Sequence, residues 1–413
     1  MDDDRRILVT GLGPVTPIGT GAQEFRKAQH DCARGVRTIT QFDASTLESR
    51  IAGEIDLPAD LTLPRRDTVS TDRCTQLLAA AARLAVLDAG LELAGEDPER
   101  VGIAVGTGLG GIRSWEEVIT TAYCGRGPAL ISPRSIPKSM ANHAAAWLSI
   151  HYGITGPATT AVTACASGSE ALVTAYQMIA SGEVDVVLAG GADAPVTPTS
   201  VGGFSRMRTL SQRNEDPPGA SRPFSADRDG FVIAEGAGVL ILETATHARA
   251  RDARAYAQFA GYGRTSDAHH VTTPQGDGAR RAMRTAMNHA RLNPQDVDYI
   301  NAHGTATRLN DAAEAAAIHA ALGVDAKRIA VSSTKSLMGH SMGASGAIEA
   351  IASVQAIAEQ TAPPTANLDA PDPSMNLDFL PWAAKEMKIR AALSNSFAFG
   401  GHNVVLAFTR PSL

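Results

Sequence analysis

The tightest constraint on how this chain can fold is the way its apolar runs end. Ile7–Thr10, Val101–Val105, Val184–Ala189, Gly236–Glu243, Val297–Asn301, Ile329–Ser332, Ala391–Ser394 and Val404–Phe408 are short and strand-like, and several close on glycine. The run at Val184–Ala189, apolar but for Asp185 and stopped by Gly190-Gly191, has the pattern of a strand buried on both faces. Helix patterns lie between the runs at Asp72–Gly90, Ala245–Ala253, Asp277–Arg291 and Gly346–Glu359. Strands alternating with helices predict an α/β chain whose sheet is mixed and largely parallel. Ala22 to about Thr71 reads as a surface excursion, and Gly11-Leu12-Gly13-Pro14 as the close of the first strand.

At 413 residues and 44% apolar content the chain can bury a large core, and its aromatic share of only 5% points to close-packed small side chains. A net charge of -6 with no long basic run argues against nucleic acid. No run approaches the uninterrupted apolar length of a membrane span, and Met1–Arg6 lacks a signal peptide's apolar stretch. The four cysteines, Cys32, Cys74, Cys124 and Cys165, form no CxxC pair and no zinc spacing, which predicts reduced thiols in a cytoplasmic protein without a metal.

Cys165 has a distinctive context. A β-rich run, Thr160–Thr163, delivers it into Ala166-Ser167-Gly168 and an Ala-rich helix. A thiol at a helix N-terminus faces unpaired N–H groups and the positive end of the macrodipole, so its pKa is expected to fall and its nucleophilicity to rise. Two histidines sit in glycine-framed turns after strands, His303 in Asn301–Thr307 and His340 in Lys335–Gly343. The C-terminal ends of strands are where α/β folds bind ligands. A thiol and two imidazoles there can serve as nucleophile, proton handler and oxyanion donor. Gly106–Gly111 matches GxGxxG after a strand, but no acidic residue follows at the required place, so a wall for close backbone approach is the better reading. An internal echo is present: strand, Cys165, Ala166-Ser167-Gly168, helix, and later strand, His340, Ala344-Ser345-Gly346, helix.

Together, Thr163–Gly168, Asn301–Thr305, Ser333–Ser336 with Gly339, His340 and Gly343, Gly202-Gly203-Phe204, Ser221–Phe224 with Asp227–Phe231, and Asn395–Asn403 resemble the elongating β-ketoacyl-acyl carrier protein synthases, over about Arg6 to Phe408. The resemblance implies a thiolase-like fold, with duplicated α-β-α-β-α layers. The half at 1–253 would carry the nucleophile, and the half at 254–413 the two histidines and a gate. It implies a homodimer, or a heterodimer with a ketosynthase-like partner. Cys165 would take an acyl chain from a carrier protein, whose phosphopantetheine is the only cofactor and arrives with it. Malonyl-carrier protein would then lose carbon dioxide, and its carbanion would attack the thioester. By the same resemblance His303 and His340 assist decarboxylation, and Lys335 and Glu349 orient and charge-balance them. The N–H groups of Cys165 and Phe399 form the oxyanion hole, and Phe399 gates a pocket that Leu109 and Phe204 help to line. Thr305 and Thr307 bind the pantetheine arm. Arg206, Arg208, Arg65, Arg66 and Lys138 are the candidates for docking an acidic carrier protein.

Some positions depart from the pattern: Ala398 replaces a glycine before Phe399, Arg308–Asp311 replaces Pro-x-Gly-Asp, and Arg134-Ser135 replaces bulky apolar residues. Primer, chain length, and fatty acid versus polyketide metabolism stay open at this point. A thiolase would need a second cysteine, and none follows Cys165. The alternative is a ketosynthase subunit active only with a non-catalytic chain-length-factor partner.

Overall fold

The computed structural model describes residues 6–125 and 127–411. Its sheet is one strand order written twice. In the first half β1 (Ile7–Thr16), β2 (Val101–Gly106), β3 (Ala158–Ala161), β4 (Val186–Asp193) and β5 (Gly236–Thr244) lie in the order β1-β5-β4-β2-β3. In the second, β6 (Ala257–Ser266), β7 (Tyr299–Asn301), β8 (Ala330–Ser332), β9 (Ala391–Ala398) and β10 (His402–Thr409) lie in the order β6-β10-β9-β7-β8. Each half begins with two antiparallel pairings and ends with two parallel ones. Leu8↔Gln258 and Val9↔Ala257 join the halves edge to edge.

Helices α1 (Arg73–Ala89), α2 (Ser167–Ser181), α3 (Gly276–His289), α4 (Arg308–Leu322) and α5 (Ser345–Glu359) supply the other layers. α2 and α5 pack on each other and on strands of both halves, so they form the middle layer. α1 covers the outer face of the first half, and α3 and α4 that of the second. The result is the expected α-β-α-β-α stack. α1 begins where Asp72 accepts the Cys74 N–H and ends at Gly90 in the left-handed conformation, as its terminal residues predict.

Several boundaries differ from expectation, among them β7, which begins at Tyr299 rather than Val297, and β9, which runs past Ser394 to Ala398. β1 does not stop at Thr10 but runs through Gly11–Pro14, because glycine there admits α1: a Cβ on Gly13 would lie 1.9 Å from the Ala81 carbonyl oxygen. β4 likewise continues past Gly190-Gly191 to Asp193. β3 ends at Ala161, two residues before Thr163, so the chain reaches Cys165 from a loop. Gly106 does form the close-approach wall: a Cβ on it would lie 2.1 Å from the carbonyl oxygen of Ser167 in α2. No helix among the described residues is long and apolar enough to cross a membrane.

Candidate active site

The local chain path explains how each functional group is aimed. After β3, Ala164 adopts φ 50°, a left-handed conformation uncommon for alanine. The Ser167 hydroxyl secures that turn, accepting the Thr163 N–H at 2.8 Å and donating to the Ala164 carbonyl at 2.7 Å. Cys165 therefore sits in a single tight turn, Ala164–Ala166, directly ahead of α2. Strain of this kind, held by side-chain bonds, is typical of positions where a reactive group must be presented.

After β7, the N–H groups of His303 and Gly304 both donate to the Glu314 carboxylate at 2.8 Å, and the Asn395 amide donates to it at 3.1 Å. After β8, Lys335 opens a short helix, Lys335–Met338, with its side chain 1% exposed. Its Nζ lies 3.3 Å from His303 Nδ1 and pairs with Glu349 of α5. His340 follows, its Nδ1 2.8 Å from the Ser345 hydroxyl. Lys335 can only donate, so His303 Nδ1 accepts and its Nε2 is the N–H donor toward the cavity; His340 takes the same tautomer when the Ser345 hydroxyl donates to its Nδ1. The two rings meet edge to face with centroids 5.5 Å apart.

Cys165, His303 and His340 line one cavity of about 620 Å³, with Leu109, Phe204 and Met342. Thr305, Thr307, Phe399 and Arg208 border it as well, and the Thr305 and Thr307 hydroxyls are 2.9 Å apart. The Phe399 backbone N–H faces the Cys165 thiol and favours its ionised form. Ala398 is extended, at φ -113° and ψ 159°, a conformation open to any residue, so its Cβ introduces no strain in this state of the gate. Arg134 is exposed and Ser135 buried.

Electrostatics correct one expectation. Burial pushes the Cys165 thiol up to about 12, and Asp193 and Glu349 add to it, whereas Lys335 and the Phe399 N–H pull the other way. The α2 terminus favours a thiolate, but enclosure outweighs it, so the resting group is a neutral thiol. Burial and the Lys335 charge hold His303 well below the usual imidazole range, and the same two causes act on His340. Burial pulls Glu349 up to about 7 against its Lys335 pairing. The site therefore offers a thiol and two neutral imidazoles bordering one cavity.

The docking candidates separate. Arg208 borders the cavity mouth, with Arg206 exposed two residues before it. Arg65 and Arg66 are exposed on the short helix Arg65–Thr68 and do not border the cavity, and Lys138 is tied to Glu117 at 2.6 Å. Three further residues have evident roles in the site: Asp193 accepts the Gly108 N–H of the wall beside Cys165, Glu314 holds the His303 turn, and Ser345 contacts His340. Ser345 lies in the Ala344-Ser345-Gly346 echo, whereas Asp193 and Glu314 carry no motif, and an acid placed just past an apolar run is the one signal for Asp193.

Comparison with known proteins agrees with this geometry. The family model for the β-ketoacyl synthase N-terminal domain matches residues 4–248, and that for the C-terminal domain residues 256–369. The 3-oxoacyl-(acyl-carrier-protein) synthase 2 of Synechocystis sp. is 44% identical over 411 residues, covering 99% of each chain. The protein of the same name from Coxiella burnetii is 43% identical with the same coverage. Among solved structures, the ishigamide ketosynthase/chain length factor superposes with a TM-score of 0.93 at 35% identity, over 99% of this chain and 100% of that one. A type II polyketide ketosynthase in complex with its acyl-carrier protein gives 0.92 at 34% identity, with the same coverage. With the cysteine turn, the paired histidines and the doubled strand order all in place, the chain belongs to the β-ketoacyl synthase family.

Proposed function

We propose that the chain catalyses decarboxylative Claisen condensation of an acyl group held on Cys165 with malonyl-carrier protein, in fatty acid or type II polyketide biosynthesis. The observation that carries this reading is one cavity shared by the Cys165 thiol, Phe399 and the two imidazoles. In the first step the Cys165 sulfur attacks the thioester of the acyl-carrier protein. The N–H groups of Phe399 and Cys165 stabilise the oxyanion, and the carrier thiol departs with the thiol proton. Because the thiol rests protonated, its proton leaves as the new bond forms.

Malonyl-carrier protein then enters. Its carbon–carbon bond to carboxylate breaks, carbon dioxide leaves, and the electron pair becomes an enolate on the thioester. The His303 and His340 N–H groups stabilise that enolate in a site that excludes water. Lys335 fixes the His303 tautomer, and Glu349 balances the lysine's charge. The enolate carbon bonds to the acyl carbonyl, the bond to Cys165 breaks, and the released sulfur regains a proton from solvent. Thr305 and Thr307 hold the phosphopantetheine arm, which arrives on the carrier protein, so no resident cofactor or metal is required. Arg206 and Arg208 meet the acidic carrier surface, and the setting is the cytoplasm.

Incubation with acyl- and malonyl-carrier proteins tests this: a β-ketoacyl-carrier protein two carbons longer, with carbon dioxide, supports it, and absence of both contradicts it. A second reading, activity only with a ketosynthase-like partner, has its own support. The segment before the edge strand β3 exposes Ile119, Leu130, Ile136, Met140 and Ile150, Val162 just after it is exposed too, and similar solved chains are described with chain length factors. Activity that appears only when such a partner is added would favour it.

A further inference from the structure

At the end of β4, Asp193 is fully buried between the two halves. Its Oδ1 accepts from the Thr107 hydroxyl at 2.6 Å and the Leu109 N–H at 3.2 Å. Its Oδ2 accepts from the Gly108 N–H at 2.8 Å and the Gly343 N–H at 2.6 Å. All four partners donate, an arrangement that only a deprotonated carboxylate satisfies, and these bonds oppose the burial that pulls Asp193 up to about 6. Gly108 and Leu109 form the cavity wall beside Cys165. Gly343 belongs to the turn Met342–Ala344, which runs into the Ser345 that holds His340.

The echo in the sequence gives this contact its meaning. Aligning Ala166-Ser167-Gly168 with Ala344-Ser345-Gly346 sets Gly343 where Cys165 stands and Met342, at φ 47°, where Ala164 stands at φ 50°. The start of α2 presents a thiol to the cavity, and the start of α5 receives a carboxylate from the other half.

We propose that Asp193 is a positioning residue for the condensation: its carboxylate fills the second turn and ties the His340–Ser345 loop to the wall beside Cys165, fixing nucleophile and imidazole relative to each other. This inference rests on the roles given to Cys165 and His340 above. Its charge also faces the thiol and opposes its ionisation. An asparagine cannot replace it, because either orientation of the amide turns an NH2 toward a backbone N–H.

The test compares wild type, Asp193→Asn and Thr107→Val by three readouts. These are acyl loading of Cys165, kcat and KM for malonyl-carrier protein, and the pH profile of Cys165 alkylation by iodoacetamide. Asp193→Asn is expected to lower kcat roughly 10²-fold with KM little changed, since small misplacements of reacting groups cost about that much. Its alkylation profile moves to lower pH, because a neighbouring negative charge is gone. Thr107→Val removes one donor and keeps the charge, so it lowers kcat by several-fold without that shift. A folded Asp193→Asn protein with wild-type kcat or a wild-type alkylation profile would overturn the proposal. If that variant does not fold, wild-type kcat in Thr107→Val overturns it. Failure of wild type to load any acyl group removes the functional reading and this one together, whereas a loading wild type with a normal asparagine variant removes this one alone.

Discussion

In the N-terminal half, β3 leads through Ala164 into Cys165 and α2; in the C-terminal half, β8 leads through Met342 into Gly343 and α5. Both turns strain a non-glycine residue into the left-handed region, and both are followed by Ala-Ser-Gly. Their occupants differ. In the first, Ser167 closes its own turn and the thiol faces the cavity. In the second, the equivalent Ser345 reaches His340, and the glycine's N–H is taken by Asp193. Duplication has thus yielded one turn that presents a nucleophile and one that supports a donor, on nearly the same backbone.

Substitutions at matched positions should separate these roles. Cys165→Ala is expected to lower condensation by about 10³-fold or more, while Ser345→Ala at the other turn costs about tenfold by freeing His340 Nδ1. Comparable losses at both would break the contrast, and steady-state kcat reads it. His303→Ala and His340→Ala are each expected to slow condensation roughly 10²-fold, because each removes a donor to the developing enolate. Acyl loading of Cys165, followed by mass, persists in both; loss of loading would mean that the imidazoles act in the first half-reaction instead.

The crowding at the second turn has a stability counterpart. A Cβ on Gly343 would lie 2.2 Å from the Gly108 nitrogen, whereas one on Gly203 meets nothing within 4 Å. Gly343→Ala should therefore cost about 1–3 kcal/mol or more by overpacking, and Gly203→Ala should leave Tm level or slightly raised. Calorimetry distinguishes them, and equal Tm values would contradict the packing described.

Much of this site was legible in the sequence because its chemistry sits in short local motifs. Cys165, His303 and His340 each follow an apolar run in a turn of small residues, and their order along the chain carried the family resemblance. Asp193 and Glu314 were not legible, because their partners, mostly backbone N–H groups, are brought together only by folding: Gly343 lies 150 positions from Asp193. β6 is not legible in the sequence because Gly261, Gly263 and Arg264 dilute its apolar pattern, although glycine there admits α3. The thiol's pKa is not legible for a related reason. A helix terminus is visible locally, but enclosure by residues from both halves is not.

The smallest expected effect contrasts the site's buried charges with a cluster away from it. Against the upward pull of burial, Arg251, His247 and Thr10 hold Glu243 down to about 2. The Glu243 hydrogen bond in turn holds His247 up to about 9. The His247 contribution to stability is complete below its ordinary value of 6.5 and lost as pH rises through about 9. That of Glu243 is present above its ordinary 4.5 and lost as pH falls through about 2. His247→Gln should melt below wild type at pH 6, and the gap should close by pH 10. A gap independent of pH would mean that packing, not charge, holds this cluster.

The division of labour between the two turns is tested most directly by intact mass. Wild type and Cys165→Ala are mixed with a ladder of acyl-carrier proteins and weighed. A single acyl adduct on wild type, absent from the alanine variant, is the predicted result, and its preferred length reports the cavity. An adduct that survives the Cys165→Ala substitution, or none on folded wild type from any carrier, would contradict the assignment of Cys165 as the nucleophile.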